Sequence, residues 1–188
     1  MQRPIRDIFW SYGVLDAQGK HVNGTDKETN HHYGDAYESL FPDEEDRADV
    51  KLVMEVGVAD GSCLLAWRDI FPNALVVGMD IHHSDRAHGD RIEFRMGDQR
   101  SKADCERAAA GRLFDVILED AYHSTENTLL TLFHLWPFVH PGGLYIVEEW
   151  ADIHGCKENV KQLFGAEIVD TVGPSGGVEP LVVLRKPL

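Results

Sequence analysis

The chain has 188 residues and a formal net charge of -14, from 18 basic and 32 acidic side chains. This length and a 43% share of hydrophobic residues suit one folded domain with a substantial core. A surface so negative repels phosphate backbones, so nucleic-acid substrates are disfavoured and small molecules or cations are the expected partners.

Cysteines and apolar runs indicate the cellular setting. Cys63, Cys105 and Cys156 are far apart and form no CxxC pair, which disfavours a disulfide framework and a zinc site. The N-terminal stretch has charges but no apolar run of the signal-peptide kind. No segment approaches the roughly 20 apolar residues that span a bilayer. We therefore expect a cytoplasmic protein with no membrane partner.

The first 50 residues differ from the rest of the chain. A polar stretch covers residues 24–33, a short helical pattern covers 36–41, and the acidic run over 43–46 is predicted to be a solvated connector. We expect residues 1–50 to form a covering segment and residues 51–188 to form the main part of a single globular domain. Three aromatic residues are expected to be exposed and to pack on a lid or on a second copy in a homo-oligomer: Phe9, Trp10 and Tyr12.

From residue 52 onward, strand and helix patterns alternate. The predicted strands cover residues 52–56, 75–79, 91–96, 114–118, 144–147, 167–172 and 181–185. The predicted helices cover residues 62–71, 102–110, 125–138 and 156–164. This alternation predicts an α/β fold with a mostly parallel seven-stranded sheet and helices on both faces. No helix separates the last two strands, so the final strand should be antiparallel to its neighbour. Such a Rossmann-like sheet is typical of class I methyltransferases.

The first strand runs into a turn that contains Gly57 and Gly61. A dinucleotide-binding fingerprint requires glycine at its first, third and sixth positions, but counting from Gly57 the last two are Ala59 and Ser62. This mismatch disfavours an NAD-dependent enzyme and favours S-adenosylmethionine as the cofactor. We expect glycine here because the ligand must approach the backbone closely.

Acidic residues follow the next two strands, at the sheet edge where ligands bind in open α/β folds. Asp80 is expected to accept hydrogen bonds from two ribose hydroxyls, although a helix-capping or turn role is the alternative. Asp98 and Gln99 are predicted to contact the adenine edge, and an ordinary Gly-Asp turn is the alternative there.

Three carboxylates follow the fourth and fifth strands: Asp120, Glu148 and Glu149. If these strands are neighbours, the carboxylates repel one another unless a cation joins them. Oxygen ligands suit magnesium or calcium, so we predict a magnesium site, with solvent-facing carboxylates as the alternative. His123 lies three residues after Asp120 and is placed to act as a general base towards a hydroxyl.

Several of these segments together resemble the magnesium-dependent sugar O-methyltransferases of macrolide biosynthesis, the mycinamicin-type family that is often grouped with cephalosporin-hydroxylase-like proteins. The resemblance extends from about Gly24 to Trp150 and includes His31, Tyr33 and His123. The other matching segments are 24–27, 37–41, 54–57, 67–72, 78–80, 97–99, 114–120 and 141–148.

The resemblance implies a role for each matching position. Asp120, Glu148 and Glu149 would bind magnesium, and His123 with Asp120 would be catalytic. Residues 1–50 would include a lid over the cofactor, ahead of the methyltransferase domain over 51–188. The positions that would hold S-adenosylmethionine are Thr25, Lys27, Tyr33, Glu55, Gly57, Val58, Gly61, Ser62, Asp80, Ile81, Asp98 and Gln99.

Two departures from the family pattern concern the metal and the acceptor. The family's Asp-Asp-Gly-Ser-His segment is Glu-Asp-Ala-Tyr-His at residues 119–123, which puts Tyr122 in place of a small residue. The family's Glu-Asp pair is Glu148-Glu149, in which the second side chain is one methylene longer.

The predicted activity is magnesium-assisted methyl transfer to a hydroxyl of a small molecule, with a sugar of an antibiotic-type natural product as the family-level acceptor and another vicinal diol as an alternative. A metal-independent methyltransferase on the same fold and a non-catalytic protein that binds S-adenosylmethionine are the other functions considered.

Overall fold

A computed structural model describes residues 2–150, 153–170 and 181–188. Its helices are α1 (Ile5–Tyr12), α2 (Gly34–Leu40), α3 (Glu44–Asp49), α4 (Ser62–Ile70), α5 (Lys102–Ala109), α6 (Thr125–Leu135) and α7 (Ile153–Phe164). Its strands are β1 (Gly13–Leu15), β2 (His21–Gly24), β3 (Leu52–Val56), β4 (Leu75–Asp80), β5 (Ile92–Met96), β6 (Phe114–Glu119), β7 (Val139–Val147), β8 (Glu167–Asp170) and β9 (Val182–Arg185). Within these ranges no helix is long and apolar enough to cross a membrane.

Seven strands form one sheet in the order β5-β4-β3-β6-β7-β9-β8, while β1 and β2 form a separate antiparallel pair. Strands β3 to β7 pair in parallel, and β9 is antiparallel to both β7 and β8. The predicted mostly parallel sheet with antiparallel C-terminal strands is therefore confirmed. Chain order reverses between β3 and β6, and such a switch point is where open α/β sheets bind ligands.

Both faces of the sheet are covered, because adjacent residues of its central strand enter different apolar clusters. Val53 packs on one face with Trp67 and Phe71, while Met54 packs on the other with Leu132. Parallel sheets need this double cover, since both faces of their strands are apolar.

The N-terminal segment contributes to the first of these clusters, which corrects one expectation. Phe9 is fully buried, and its ring meets the rings of Trp67 and Tyr37 edge-on at centroid distances of 5.0 and 5.6 Å. The predicted exposure of Phe9 is therefore wrong, because α1 is amphipathic and Phe9 lies on its buried face with Ile5 and Ile8. Trp10 is exposed, and the half-buried Tyr12 donates a hydrogen bond to Asp69.

The acidic run over 43–46 is exposed, as predicted, but it caps and begins helix α3, so the prediction of a connector is wrong. The Asp43 side chain accepts hydrogen bonds from the backbone amides of Glu45 and Asp46, and thereby caps the N-terminus of α3. Arg47 anchors this helix, because its buried guanidinium bonds to the carbonyl of Phe41 and to the Glu38 carboxylate.

The remaining differences lie at element ends. Strand β7 begins at Val139, earlier than predicted, and a 3₁₀ turn over Trp136–Phe138 separates it from α6. The register between β6 and β7 shifts between Phe114 and Val116, which accommodates the Pro-Gly-Gly segment within the strand. Residues 171–172 of the sixth predicted strand and the link over 173–180 lie outside the described residues.

Glycine is required at position 57 for a reason that differs from the predicted one. Its φ is +87°, and a Cβ atom added there would collide with the backbone of Asp120 and Ala121. The turn after β3 thus touches the turn after β6 backbone to backbone. Glycine is required here by a neighbouring part of the chain, whatever ligand binds beside it.

Gly57→Ala should therefore destabilise the protein, because left-handed strain and a backbone collision add together. We expect the free energy of unfolding to fall by about 2–4 kcal/mol in a urea titration. Gly111→Ala is the matched control, since Gly111 has a φ of +70° but open space around its Cβ position. Equal losses in the two variants would show that the contact with Asp120 is unimportant.

Candidate active site

A cavity of about 670 Å³ opens at the carboxyl edge of the sheet, beside β3, β4, β5 and β6. Ten predicted site residues line it: Thr25, Gly57, Val58, Asp80, Ile81, Asp98, Gln99, Asp120, His123 and Glu149. Six other predicted residues are buried and are not among its described lining: Lys27, Tyr33, Glu55, Gly61, Ser62 and Glu148.

Asp80 is held rigidly at one side of this cavity. One carboxylate oxygen accepts hydrogen bonds from the amides of Val58 and Ala59 at 2.9 and 3.1 Å, and the other accepts from the His82 amide at 2.8 Å. The side chain therefore orders the glycine turn. A carboxylate has about four lone-pair sites, so acceptor capacity towards a ligand remains.

Gln99 and Asp98 form the wall beyond β5. The Arg100 guanidinium donates hydrogen bonds to both carboxylate oxygens of Asp98 and lowers the pKa of that carboxyl. The Gln99 side chain is buried, and among the described residues neither its amide nitrogen nor its oxygen has a hydrogen-bond partner. Buried side-chain amides normally have hydrogen-bond partners. The Gln99 amide is therefore suited to bind a ligand edge that offers one donor beside one acceptor.

Asp120, His123 and Glu149 come together at the other side of the cavity. Strands β6 and β7 pair in parallel with Glu119 opposite Val147, so the residues that follow them meet at one edge. The Nε2 atom of His123 lies 2.9 Å from Oε2 of Glu149 and 3.9 Å from Oδ1 of Asp120. These three side chains offer possible metal-ligand atoms within 4.8 Å of one another.

Glu148 faces the interior, in contrast to its neighbour Glu149. Its Oε2 atom lies 2.8 Å from the Nζ atom of Lys27, and its Oε1 atom accepts a hydrogen bond from the Tyr37 hydroxyl. Burial raises the pKa of Glu148, while the Lys27 ammonium acts in the opposite direction. The structure thus separates Glu148 from the group formed by Asp120, His123 and Glu149.

Lys27 is fully buried and contacts three carboxylates. Its Nζ atom lies 2.7 Å from Oδ2 of Asp120, 2.8 Å from Oε2 of Glu148 and 3.1 Å from Oε1 of Glu55. Burial acts to lower the pKa of Lys27, but these carboxylates hold it well above its usual range. Lys27 therefore carries its charge inside the protein.

His31 is a contact of the site whose role the sequence did not reveal. Its Nδ1 atom lies 3.3 Å from Oε1 of Glu149, and its Nε2 atom lies 3.2 Å from Oδ2 of Asp26. The ring stacks on Tyr33 at a centroid distance of 5.3 Å. Its place in the family-like N-terminal segment was the available signal, because an irregular stretch has no periodicity that predicts its partners.

No family model matches the chain. Over 135 residues it is 33% identical to 8-demethyl-8-alpha-L-rhamnosyl tetracenomycin-C 2'-O-methyltransferase of Streptomyces olivaceus, covering 68% of this chain and 35% of that protein. Over 106 residues it is 32% identical to demethylmacrocin O-methyltransferase of Streptomyces fradiae, covering 52% of this chain and 27% of that protein. Over part of its length the chain is thus similar to these sugar and macrolide-pathway O-methyltransferases.

The fold agrees with this kinship. The structure of the MycE methyltransferase from the mycinamycin biosynthetic pathway, in complex with Mg, SAH and mycinamycin VI, superposes with a TM-score of 0.77 at 19% identity and covers 99% of this chain. The predicted class I methyltransferase fold is thereby confirmed. The chain spans 54% of that structure, and 35% and 27% of the two sequence relatives.

Glu119, at the end of β6, lies directly behind the site. Burial raises the pKa of this carboxyl to about 7, and a hydrogen bond from Thr128 acts in the opposite direction. Its protonated form is therefore favoured in the folded protein below neutral pH. In the unfolded chain it should titrate near pH 4.3.

This shift predicts a pH-dependent loss of stability. The pKa of Glu119 is higher in the folded state than in the unfolded chain. Its contribution to the free energy of unfolding is therefore complete below about pH 4.5 and is lost as pH rises through about 7. We expect the stability of the wild type relative to Glu119→Gln to fall by about 3 kcal/mol between pH 4.5 and pH 8. Urea titrations of both proteins across this range would measure it, and a constant difference would show that Glu119 keeps an ordinary pKa.

Proposed function

We propose that the chain is an S-adenosylmethionine-dependent, magnesium-assisted O-methyltransferase that acts on a sugar hydroxyl of a small natural product. One observation carries the proposal. One cavity has the Gln99 amide and the Asp80 carboxylate at one side, both with hydrogen-bonding capacity left for a ligand. The cluster at its other side consists of Asp120, His123 and Glu149. The sequence relatives that are named as O-methyltransferases of sugar-bearing compounds support it.

The residues of the cofactor side fit an adenosyl group. Asp80 has acceptor capacity left for ribose hydroxyls, and the unpartnered Gln99 amide matches the donor and acceptor pattern of an adenine edge. The Gly57 turn and Ile81 would complete this side. When bound, S-adenosylmethionine supplies a methyl group on sulfur that is already activated for transfer.

The acidic side fits a hard divalent cation. Asp120 and Glu149 offer carboxylate oxygens, the ligand type that Mg²⁺ prefers, and Glu148 remains the predicted third carboxylate. A bound Mg²⁺ would supply Lewis acidity that lowers the pKa of the acceptor hydroxyl. The MycE structure, which contains Mg, supports this choice of metal by analogy.

His123 is placed to take the proton. Its side chain is 39% exposed, and Nε2 points at the carboxylates of Glu149 and Asp120. His123 would accept the proton of the acceptor hydroxyl when that oxygen takes the methyl group that bound S-adenosylmethionine would supply. The two carboxylates would stabilise the imidazolium that results, and holding both substrates in line would supply much of the acceleration.

The acceptor would lie near Tyr122, which lines the cavity and is 70% exposed. An exposed aromatic ring beside the base can pack against the apolar face of a sugar ring or of a catechol-like diol. We propose that residues 1–50 act as a lid ahead of the methyltransferase domain over 51–188, and that the enzyme works in the cytoplasm on a small molecule. Thr25 and His31 of this segment line the cavity.

A metal-independent version of the same transfer is the second candidate. The contact of Glu148 with Lys27 and Tyr37 favours it, because this contact leaves Asp120 and Glu149 as the carboxylates that face the cavity. Methyl transfer that continues in excess chelator would select this version.

The cofactor side makes a binding prediction. Gln99→Leu should weaken binding of S-adenosylhomocysteine at least tenfold in calorimetric titrations, because a leucine cannot pair with the adenine edge. Gln18→Leu is the matched control, since Gln18 is exposed in the turn between β1 and β2. Unchanged affinity in the Gln99 variant would remove the adenine contact from the proposal.

The catalytic side makes a kinetic prediction. Asp120→Asn and His123→Ala should each lower kcat by about 10²–10⁴-fold, while the affinity for S-adenosylhomocysteine stays within about threefold of the wild type. The assay would follow methyl transfer to a panel of rhamnosides and catechols by mass spectrometry, with Mg²⁺ present.

His88→Ala is the control for this experiment, because His88 is exposed on the loop after β4. Full activity of the His123 variant on an acceptor that the wild type methylates would refute its role as base. Binding of S-adenosylhomocysteine without transfer to any acceptor by the wild type would favour a non-catalytic binding protein.

A further inference from the structure

The Lys27 ammonium is surrounded by carboxylates, as a bound metal cation would be. Its side chain is 1% exposed, and its Nζ atom reaches Glu55, Asp120 and Glu148 within 3.1 Å. The ammonium also lies 5.7 Å from the centroid of the Trp67 ring, which adds a cation–π contact.

The charge around this ammonium is unbalanced. Glu55, Asp120, Glu148 and Glu149 would contribute four negative charges when ionised, whereas Lys27 contributes one positive charge. Tyr37 donates a hydrogen bond to Glu148 and adds no charge. Burial raises the pKa of Glu55 and Glu148, which favours their neutral forms. The carboxylates on the cavity side, Asp120 and Glu149, are therefore the ones that favour a further cation.

Asp120 is shared between the two sides of the cluster. Its Oδ2 atom contacts Lys27 at 2.7 Å, while its Oδ1 atom lies on the cavity side, 3.9 Å from Nε2 of His123. Glu148 gives one oxygen to Lys27 and the other to Tyr37. A cation in the cavity can reach Asp120 and Glu149, which line it, whereas Glu148 is buried outside the lining and has Lys27 on one oxygen and Tyr37 on the other.

We propose that Lys27 is a positioning residue of the metal site. Its ammonium is a counter-ion fixed to the chain, in contact with Glu148 and with the inner oxygen of Asp120. It thereby sets which carboxylate oxygens a divalent cation can use and how tightly that cation binds. This inference rests on the proposed function, because it assumes that the cavity carboxylates bind a metal. It adds that the chain limits its own metal affinity, since a fixed positive charge lies against two of the three predicted ligands.

Binding of Mn²⁺ tests this role directly, because Mn²⁺ can be followed by electron paramagnetic resonance without cofactor or acceptor. Lys27→Met keeps a stem of similar length against Trp67 but removes the charge. We expect it to bind Mn²⁺ at least tenfold more tightly than the wild type, because the freed oxygens and the lost repulsion both favour the ion. Lys27→Arg keeps the charge, so its affinity should stay within about threefold of the wild type.

A second variant covers the case in which Lys27→Met fails to fold. Lys27→Met combined with Glu55→Gln removes one positive and one negative charge together, so the total charge of the cluster is unchanged. Because Glu148 and Asp120 are still freed in this double variant, it should also bind Mn²⁺ more tightly than the wild type. Glu55→Gln alone keeps Lys27 in place and should show no gain.

The outcomes separate this inference from the proposed function. Equal or weaker Mn²⁺ binding in the folded Lys27 variants would overturn the positioning role, even if metal-dependent methyl transfer by the wild type upheld the proposed function. Tighter binding would support the role even if no acceptor were methylated. An absence of Mn²⁺ binding in the wild type and in every variant would overturn both the role and the metal part of the proposed function.

Discussion

The candidate site depends on one buried ammonium among carboxylates. Several acidic side chains meet where β3, β6 and β7 end, and their mutual repulsion would oppose folding if no cation lay among them. Lys27 supplies that charge from a segment outside the sheet. Removing one partner of such a buried ion pair typically costs about 3–5 kcal/mol, because the remaining charge is left uncompensated. The N-terminal segment is thus a structural part of the site, in addition to any role as a cover.

The sheet could be predicted from the sequence because its signals are local. Short apolar strands and the glycine and acidic residues that follow them are visible in a single window of sequence. The rule that parallel strands present their carboxyl ends at one edge then placed Asp120, His123 and Glu149 near one another, and the structure has them within reach of a shared ion. The N-terminal elements α1, α3 and the β1–β2 pair were missed, although the buried residues Ile5, Ile8 and Phe9 of α1 recur at helical spacing.

The direction of individual side chains could not be predicted in the same way. Glu148 and Glu149 are adjacent in sequence and were assigned the same role, but one carboxylate points inward to Lys27 and the other towards the cavity. Lys27 and Tyr33 were assigned to the cofactor by resemblance, and both are fully buried. A family motif marks where the backbone passes the site, whereas long-range packing decides which side chains reach it.

The contact between the Gly57 and Asp120 turns has a consequence for how the enzyme can be altered. The two turns meet through backbone atoms at Gly57, with no side chain between them. A substitution therefore cannot increase the distance between the two turns in small steps. The distance between the turn after β3 and the turn after β6 is thus set by the spacing of neighbouring strands, about 4.8 Å in any sheet. A larger or smaller ligand must be accommodated from the open side of the cavity, through residues such as Tyr122, while the side formed by these two turns keeps its dimensions.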